Sequence, residues 1–227
     1  MPLVRDIKIE LNLDEVLRRQ EVLKPERMQP RMMALIQELL GIVPELVEPA
    51  YIYEYYSIKE AADGHIVLET GDVFTSPDMV DVLTRAQEMT AVLCTIGHRL
   101  ENTVQEFFAS GESLRGILLD GIGSAAIDCV SNSACQRIGN EAAARGLTSS
   151  SPISPGMGRI PIEEQRRLFH LVPAEQLGAR ITATNMIIPR KSVSMFIGIG
   201  KDMARWHPVE VCEKCKLRDT CTHRRRA

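Results

Sequence analysis

The chain is predicted to fold as an α+β protein, on three observations. Helical periodicity dominates the first 45 residues. Aromatic and β-branched alternation with an Asp-Gly step fills residues 50–75, and two β-like runs at 180–200 follow a long small-residue stretch. Helices, a hairpin, further apolar helices and then paired strands do not make a regular βαβ alternation.

Each element has its own signal. Leu13, Val16 and Leu17 fall at helical spacing in residues 12–20. Residues 26–40 continue the pattern, with an effective start at Pro30 and an expected stop at Gly41. AYIYEYYSI and HIVLETGDVF flank Asp63-Gly64, a hairpin signal. Tyr51, Tyr53, Tyr55 and Tyr56 lie in the first of these strands, which is read as two-faced with one side in the core. A helix opened by Pro77 and Asp78 is expected over 77–90, then a buried strand over 91–97 and a helix ending at Gly111. The stretch to Gly146 reads as small-residue helix, and a further helix follows over about 162–171. RITATNMII and SVSMFIGIG read as two strands, with Pro189-Arg190-Lys191 as the turn between them.

Composition narrows the function classes. The 227 residues carry a net charge of −3, which argues against a general nucleic-acid binder. HRRR at 223–226 reads as a solvated tail. The start has early acidic residues and no apolar h-region, so no secretory signal is expected. No stretch approaches the roughly 20 apolar residues of a membrane span, so a cytoplasmic protein without a membrane partner is expected. Its six cysteines are then thiols or metal ligands rather than bridges.

DGIGSAA at 120–126 contains G-x-G-x-x-A without a βαβ frame, and reads better as a face where two helices pack closely. GIGK at 198–201 lacks phosphate-loop spacing and reads as a strand end. Cys94, Cys129 and Cys135 are assigned to the core. Cys212, Cys215 and Cys221 form a C-x2-C-x5-C cluster in a polar segment. A tight turn brings thiolates at this spacing onto one metal. His223 would complete a zinc site, while a further thiolate would suit an iron–sulfur cluster.

The blocks TIGHRLE (95–101), EFFASGESLRGILLDGIGSAAID (106–128), SPGMGRIPIEEQRRLF (154–169) and IIPRKSVSMFIGIG (187–200) resemble the activation (reactivation) domain of cobalamin-dependent methionine synthase, and more closely its small stand-alone relatives. The resemblance runs over about residues 50–200. It implies one α+β domain over 1–205, built on a curved antiparallel sheet with flanking helices and carrying a helical N-terminal extension over 1–45. Residues 206–227 would form a cysteine-rich metal-binding tail.

The resemblance also implies S-adenosylmethionine binding and docking over a corrinoid. The family's ligand loop, Arg-x-x-Pro-Gly-Tyr, maps onto Pro152 to Met157, where Pro155 and Gly156 match. Proline presets one backbone angle and glycine permits a positive one, which turns backbone groups toward a ligand. Pro152 stands at the arginine position and Met157 at the tyrosine position. Either another cation such as Arg159 replaces the arginine, or S-adenosylmethionine is not bound in the family's manner. The candidate ligand residues are therefore Asp128, Ser154, Pro155, Gly156, Met157 and Arg159, with Asp120 as a second acidic candidate.

The expected function is that of an accessory protein reactivating a corrinoid-dependent methyltransferase. Its partners would be a corrinoid protein or cobalamin-dependent methyltransferase, together with an electron donor protein feeding the cysteine cluster. The alternative is a non-catalytic corrinoid-protein-binding module with a structural zinc site.

Overall fold

A computed structural model describes residues 2–11, 16–17, 29–204 and 219. Its centre is a seven-stranded antiparallel sheet covered by helices on both faces. Strand β1 (Leu3–Val4) pairs with β2 (Ala50–Ala62), whose other neighbours are β3 (His65–Leu68) and β5 (Glu88–Thr95). The order continues through β4 (Val73–Phe74) beyond β3, and through β9 (Ser192–Gly200) and β6 (Thr148–Ser149) beyond β5. A separate hairpin joins β7 (Arg180–Ile181) to β8 (Ile187–Ile188).

Strand β2 supports this arrangement because it serves different neighbours along its length. Ala50 to Ser57 pair with β5, while Ile58 to Ala62 pair with β3 across a register shift between Ile58 and Glu60. An irregularity of this kind bends a strand. The expected Asp-Gly turn closes the β2–β3 hairpin, with φ of 50° at Asp63 and 77° at Gly64, both in the left-handed region of a type I′ turn.

Strand periodicity sorts the core into two clusters. Tyr51, Tyr53, Val92, Cys94, Met195 and Ile197 face one side, against α1 (Pro30–Leu46), α3 (Arg99–Ala109) and the 32-residue α4 (Ser113–Ala144). Ile52, Met89, Ala91, Leu93 and Phe196 face the other, against α2 (Pro77–Leu83) and α5 (Glu164–Leu171). The small residues of α4 let α3 approach. A Cβ on Gly123 would lie 2.6 Å from Leu100 Cδ2, and one on Gly116 would lie 3.1 Å from Phe108. DGIGSAA is thus a helix-packing face, as its context suggests.

Three boundaries differ from the sequence expectation. Helix α1 runs past Gly41 and Pro44 to Leu46, because buried Val43 holds its last turn in the core. Helix α2 stops at Leu83 rather than residue 90. Gln87 N–H donates to Ile199 O at 2.7 Å, so sheet pairing takes over the end of the helical pattern. RITATNMII is a small hairpin rather than one strand. Asn185 sits at φ 63°, a conformation asparagine tolerates, and Thr182 N–H donates to Met186 O at 2.9 Å. Leu17 and Val16 are helical and buried; the rest of the helix expected over 12–20 lies outside the described residues.

Candidate functional site

The opening of the domain lies between α3–α4 on one side and α5 with the strand β9 entry on the other. The segment 150–160 begins along the outer edge of β9, where backbone bonds tie it down. Ile153 and Phe196 exchange both of theirs, at 3.0 and 2.7 Å, and Ser150 N–H donates to Gly198 O at 2.8 Å. Ser154-Pro155-Gly156-Met157 then makes a turn in which Met157 N–H donates to Ser154 O at 3.0 Å. Gly156 has φ 83°, so proline and glycine occupy the positions a type II turn requires.

Beside this turn is a cleft of about 860 Å³. Ser154, Pro155 and Gln165 line one wall, and Glu101, Phe108 and Asp120 line the helical wall. Asn185 from the β7–β8 turn and Arg190 and Lys191 from the β8–β9 turn close it. Three apolar side chains at the cleft stay exposed: Phe108 by 46%, Ile117 by 56% and Met186 by 59%.

The polar groups of the cleft fall into two sets. Some are mutually satisfied. Lys191 Nζ bridges Asp120 at 2.9 Å and Ser124 Oγ at 2.9 Å, linking the β9 entry to α4. Arg190 N–H donates to Glu101 Oε2 at 2.7 Å, which fixes the turn against α3. Ser194 Oγ–H donates to Gln165 Oε1 at 2.8 Å. Others are left over. Gln165 Nε2 and Asn185 Oδ1 have no partner among the described residues, although the two residues are only 3% and 7% exposed. Unpaired buried amide atoms cost on the order of 1–3 kcal/mol each.

The fold is similar to that of solved structures. The fold resembles that of the MetH reactivation domain. The similarity is to a crystal structure of that domain bound to AdoHcy, with a TM-score of 0.60 and 14% identity, and it covers 78% of this chain and 66% of that one. No family model and no curated protein matches the chain. At this identity the MetH reactivation domain supplies the fold, and the site rests on the side chains themselves.

The candidates named from sequence are distributed unevenly. Ser154 and Pro155 line the cleft, and Asp120 joins them. Gly156 shapes the turn, and a Cβ there would meet Ile162 of the cleft wall at 3.2 Å. Met157 packs against the second core cluster. Arg159 is committed to α2, with Nε 2.6 Å from Asp78 Oδ1, Nη2 3.3 Å from Asp81 Oδ2, and its own N–H on Asp78 at 2.7 Å. Asp128 stands about 12 Å farther along α4 than Asp120 and is not part of the cleft lining. Cys212, Cys215, Cys221 and His223 lie outside the described residues, and no metal-binding group occurs among the described ones.

Sequence reasoning passed over Glu101, Gln165, Asn185, Arg190 and Lys191. Arg190 and Lys191 had a usable signal, since two adjacent cations in a turn between apolar runs are concentrated at one sheet end. Asn185 had none while its run was read as a strand.

Proposed function

We propose that this chain is a reactivation-type accessory domain that holds an adenosyl amino acid in its cleft and meets a corrinoid protein across the cleft's apolar rim. The observation that carries this is the cleft built on the Pro155-Gly156 turn, within a fold shared with a domain whose structure contains AdoHcy. Its volume falls in the roughly 300–1,000 Å³ range of small-molecule sites. The lining suits such a ligand: apolar Phe108, Pro155 and Ile162 for a base and thioether, with amides and charges for the polar ends. Exposed Phe108, Ile117 and Met186 at the mouth offer an apolar surface to a flat partner group.

S-adenosylmethionine is the proposed physiological ligand, with Ser154, Pro155 and Gly156 positioning it through the backbone. Asp120 and Glu101 supply negative charge on the helical wall. The division into a domain over 1–205 and a metal-binding tail over 206–227 belongs to the same proposal, with Cys212, Cys215 and Cys221 holding an iron–sulfur cluster that relays an electron from a donor protein to the corrinoid.

Calorimetric titration with S-adenosylmethionine and S-adenosylhomocysteine tests the cleft. Saturable binding to the wild type and its loss in Gly156→Val, which puts a branched side chain at a positive φ, are the expected results. Absence of heat with both compounds would sink the ligand assignment. Anaerobic purification with visible absorption and metal analysis tests the tail; a colourless zinc protein excludes the electron relay.

A further inference from the structure

The cation available in the cleft comes from the β8–β9 turn and not from the loop of residues 152–159. Position 152, where an arginine fork is expected, is proline. Arg159, the nearest cation in the loop, has its guanidinium divided between Asp78 and Asp81. Lys191 is half-buried and occupied by Asp120 and Ser124. Arg190 differs from all of these. Its backbone is held by Glu101, its side chain is exposed at the cleft, and its guanidinium has no ion pair or hydrogen bond among the described residues.

A guanidinium on a backbone that is already fixed loses little entropy on binding, and its planar fork matches a carboxylate bidentately. The two leftover amide atoms add a second feature. Gln165 Nε2 is a free donor and Asn185 Oδ1 a free acceptor, both in buried side chains of the cleft lining. The last torsion of glutamine and asparagine is soft, so each can turn its free atom to a seated ligand. A donor and an acceptor together complement a neutral edge that carries both functions, such as an aminopyrimidine edge or a carboxamide.

We propose that Arg190, from the β8–β9 turn, is the carboxylate-recognition residue of this cleft, and that Gln165 and Asn185 hold the neutral polar edge of the same ligand; this rests on the cleft being the adenosyl site. Ligands bearing a carboxylate are then favoured over the same thioether nucleoside without one.

The test compares two probes, S-adenosylhomocysteine and 5′-methylthioadenosine, on the wild type and three variants by calorimetry. Arg190→Gln is expected to weaken S-adenosylhomocysteine by roughly 10- to 100-fold, the range for a charged hydrogen bond, and to leave 5′-methylthioadenosine unchanged. Gln165→Leu is expected to weaken both probes by roughly 2- to 10-fold, the range for a neutral hydrogen bond. Arg159→Gln, the control, is expected to leave the ratio between the probes as in the wild type. If Arg190→Gln weakens both probes equally or neither, the carboxylate assignment is wrong while adenosyl binding stands. If Gln165→Leu leaves both unchanged, the edge assignment is wrong. A wild type that binds neither probe overturns the adenosyl site and this inference together, a result distinct from the others.

Discussion

At the scale of single residues, the most telling group lies at the far end of α4 from the cleft. Glu141 accepts from Tyr53 at 2.7 Å and Tyr55 at 2.8 Å, and Arg137 Nε reaches both Glu141 and Tyr53 at 3.0 Å. Burial raises the Glu141 carboxyl, but the donors outweigh it and hold the group below its ordinary 4.5. Burial and the Glu141 hydrogen bond together push Tyr53 up to about 12. A depressed carboxyl stabilises the fold above its unfolded value, and that contribution is lost as pH falls through the folded value. Glu141→Gln is therefore expected to be less stable than wild type at pH 7, with the gap narrowing as pH drops below about 4.5. Urea unfolding at several pH values reads this directly; a gap that stays constant would mean the carboxylate's charge is irrelevant. The strand alternation that buries Tyr51 and Tyr53 was legible in AYIYEYYSI. Glu141, the shared partner of Tyr53 and Tyr55, was not, since it lies 86 residues from Tyr55 in the chain.

At the scale of elements, local signals were reliable where nothing competed with them. The Asp63-Gly64 turn, the α3 stop near Gly111 and the Ser154 to Met157 turn all follow from residues whose backbone preferences admit few alternatives. The sequence misled where tertiary pairing overrode periodicity, as at Gln87, and where one hydrophobic run hid a turn, as at Asn185. Glycines make the same distinction. Gly41 was read as a stop, yet it lies inside α1 with nothing within 4 Å of a Cβ, so Gly41→Ala should stabilise by about 0.5–1 kcal/mol. Gly200 is in the opposite situation. A Cβ there would lie 2.6 Å from the Arg85 carbonyl oxygen and 2.9 Å from Met203 Sδ. Backbone cannot give way cheaply, so Gly200→Ala should lose about 1–3 kcal/mol. Denaturant midpoints of the two variants should move in opposite directions; a shared direction would show that close packing at β9 does not govern this strand end.

At the scale of the whole molecule, one rim of the domain gathers the features that point to a partner. Leu114 and Ile117 are exposed one turn apart on α4, beside Phe108 of α3. Leu114 lies outside the cleft lining. Leu114→Glu should therefore weaken association with a corrinoid protein at least about 10-fold in a sedimentation or interferometry assay, as expected for a charge buried in an apolar contact. Unaltered association would move the partner surface elsewhere. The cleft itself was only half visible in the chain. Its loop side announced itself through Pro155 and Gly156, while its closing side depended on where the turns flanking β8 bring Arg190 and Asn185.

The margins of the sheet carry a consequence for how any partner can be met. Among the described residues, the sheet ends at strands of two residues on both sides, Val73–Phe74 and Thr148–Ser149, and Tyr51 and Ile52 of β2 are covered by the two residues of β1. Edges this short expose few free backbone groups, so neither margin offers a template for an incoming strand. Recognition of another protein is thereby left to side chains on helices and turns. Specificity then resides in positions such as Leu114 and Met186, which can drift by single substitutions without disturbing the hydrogen-bonded frame beneath them.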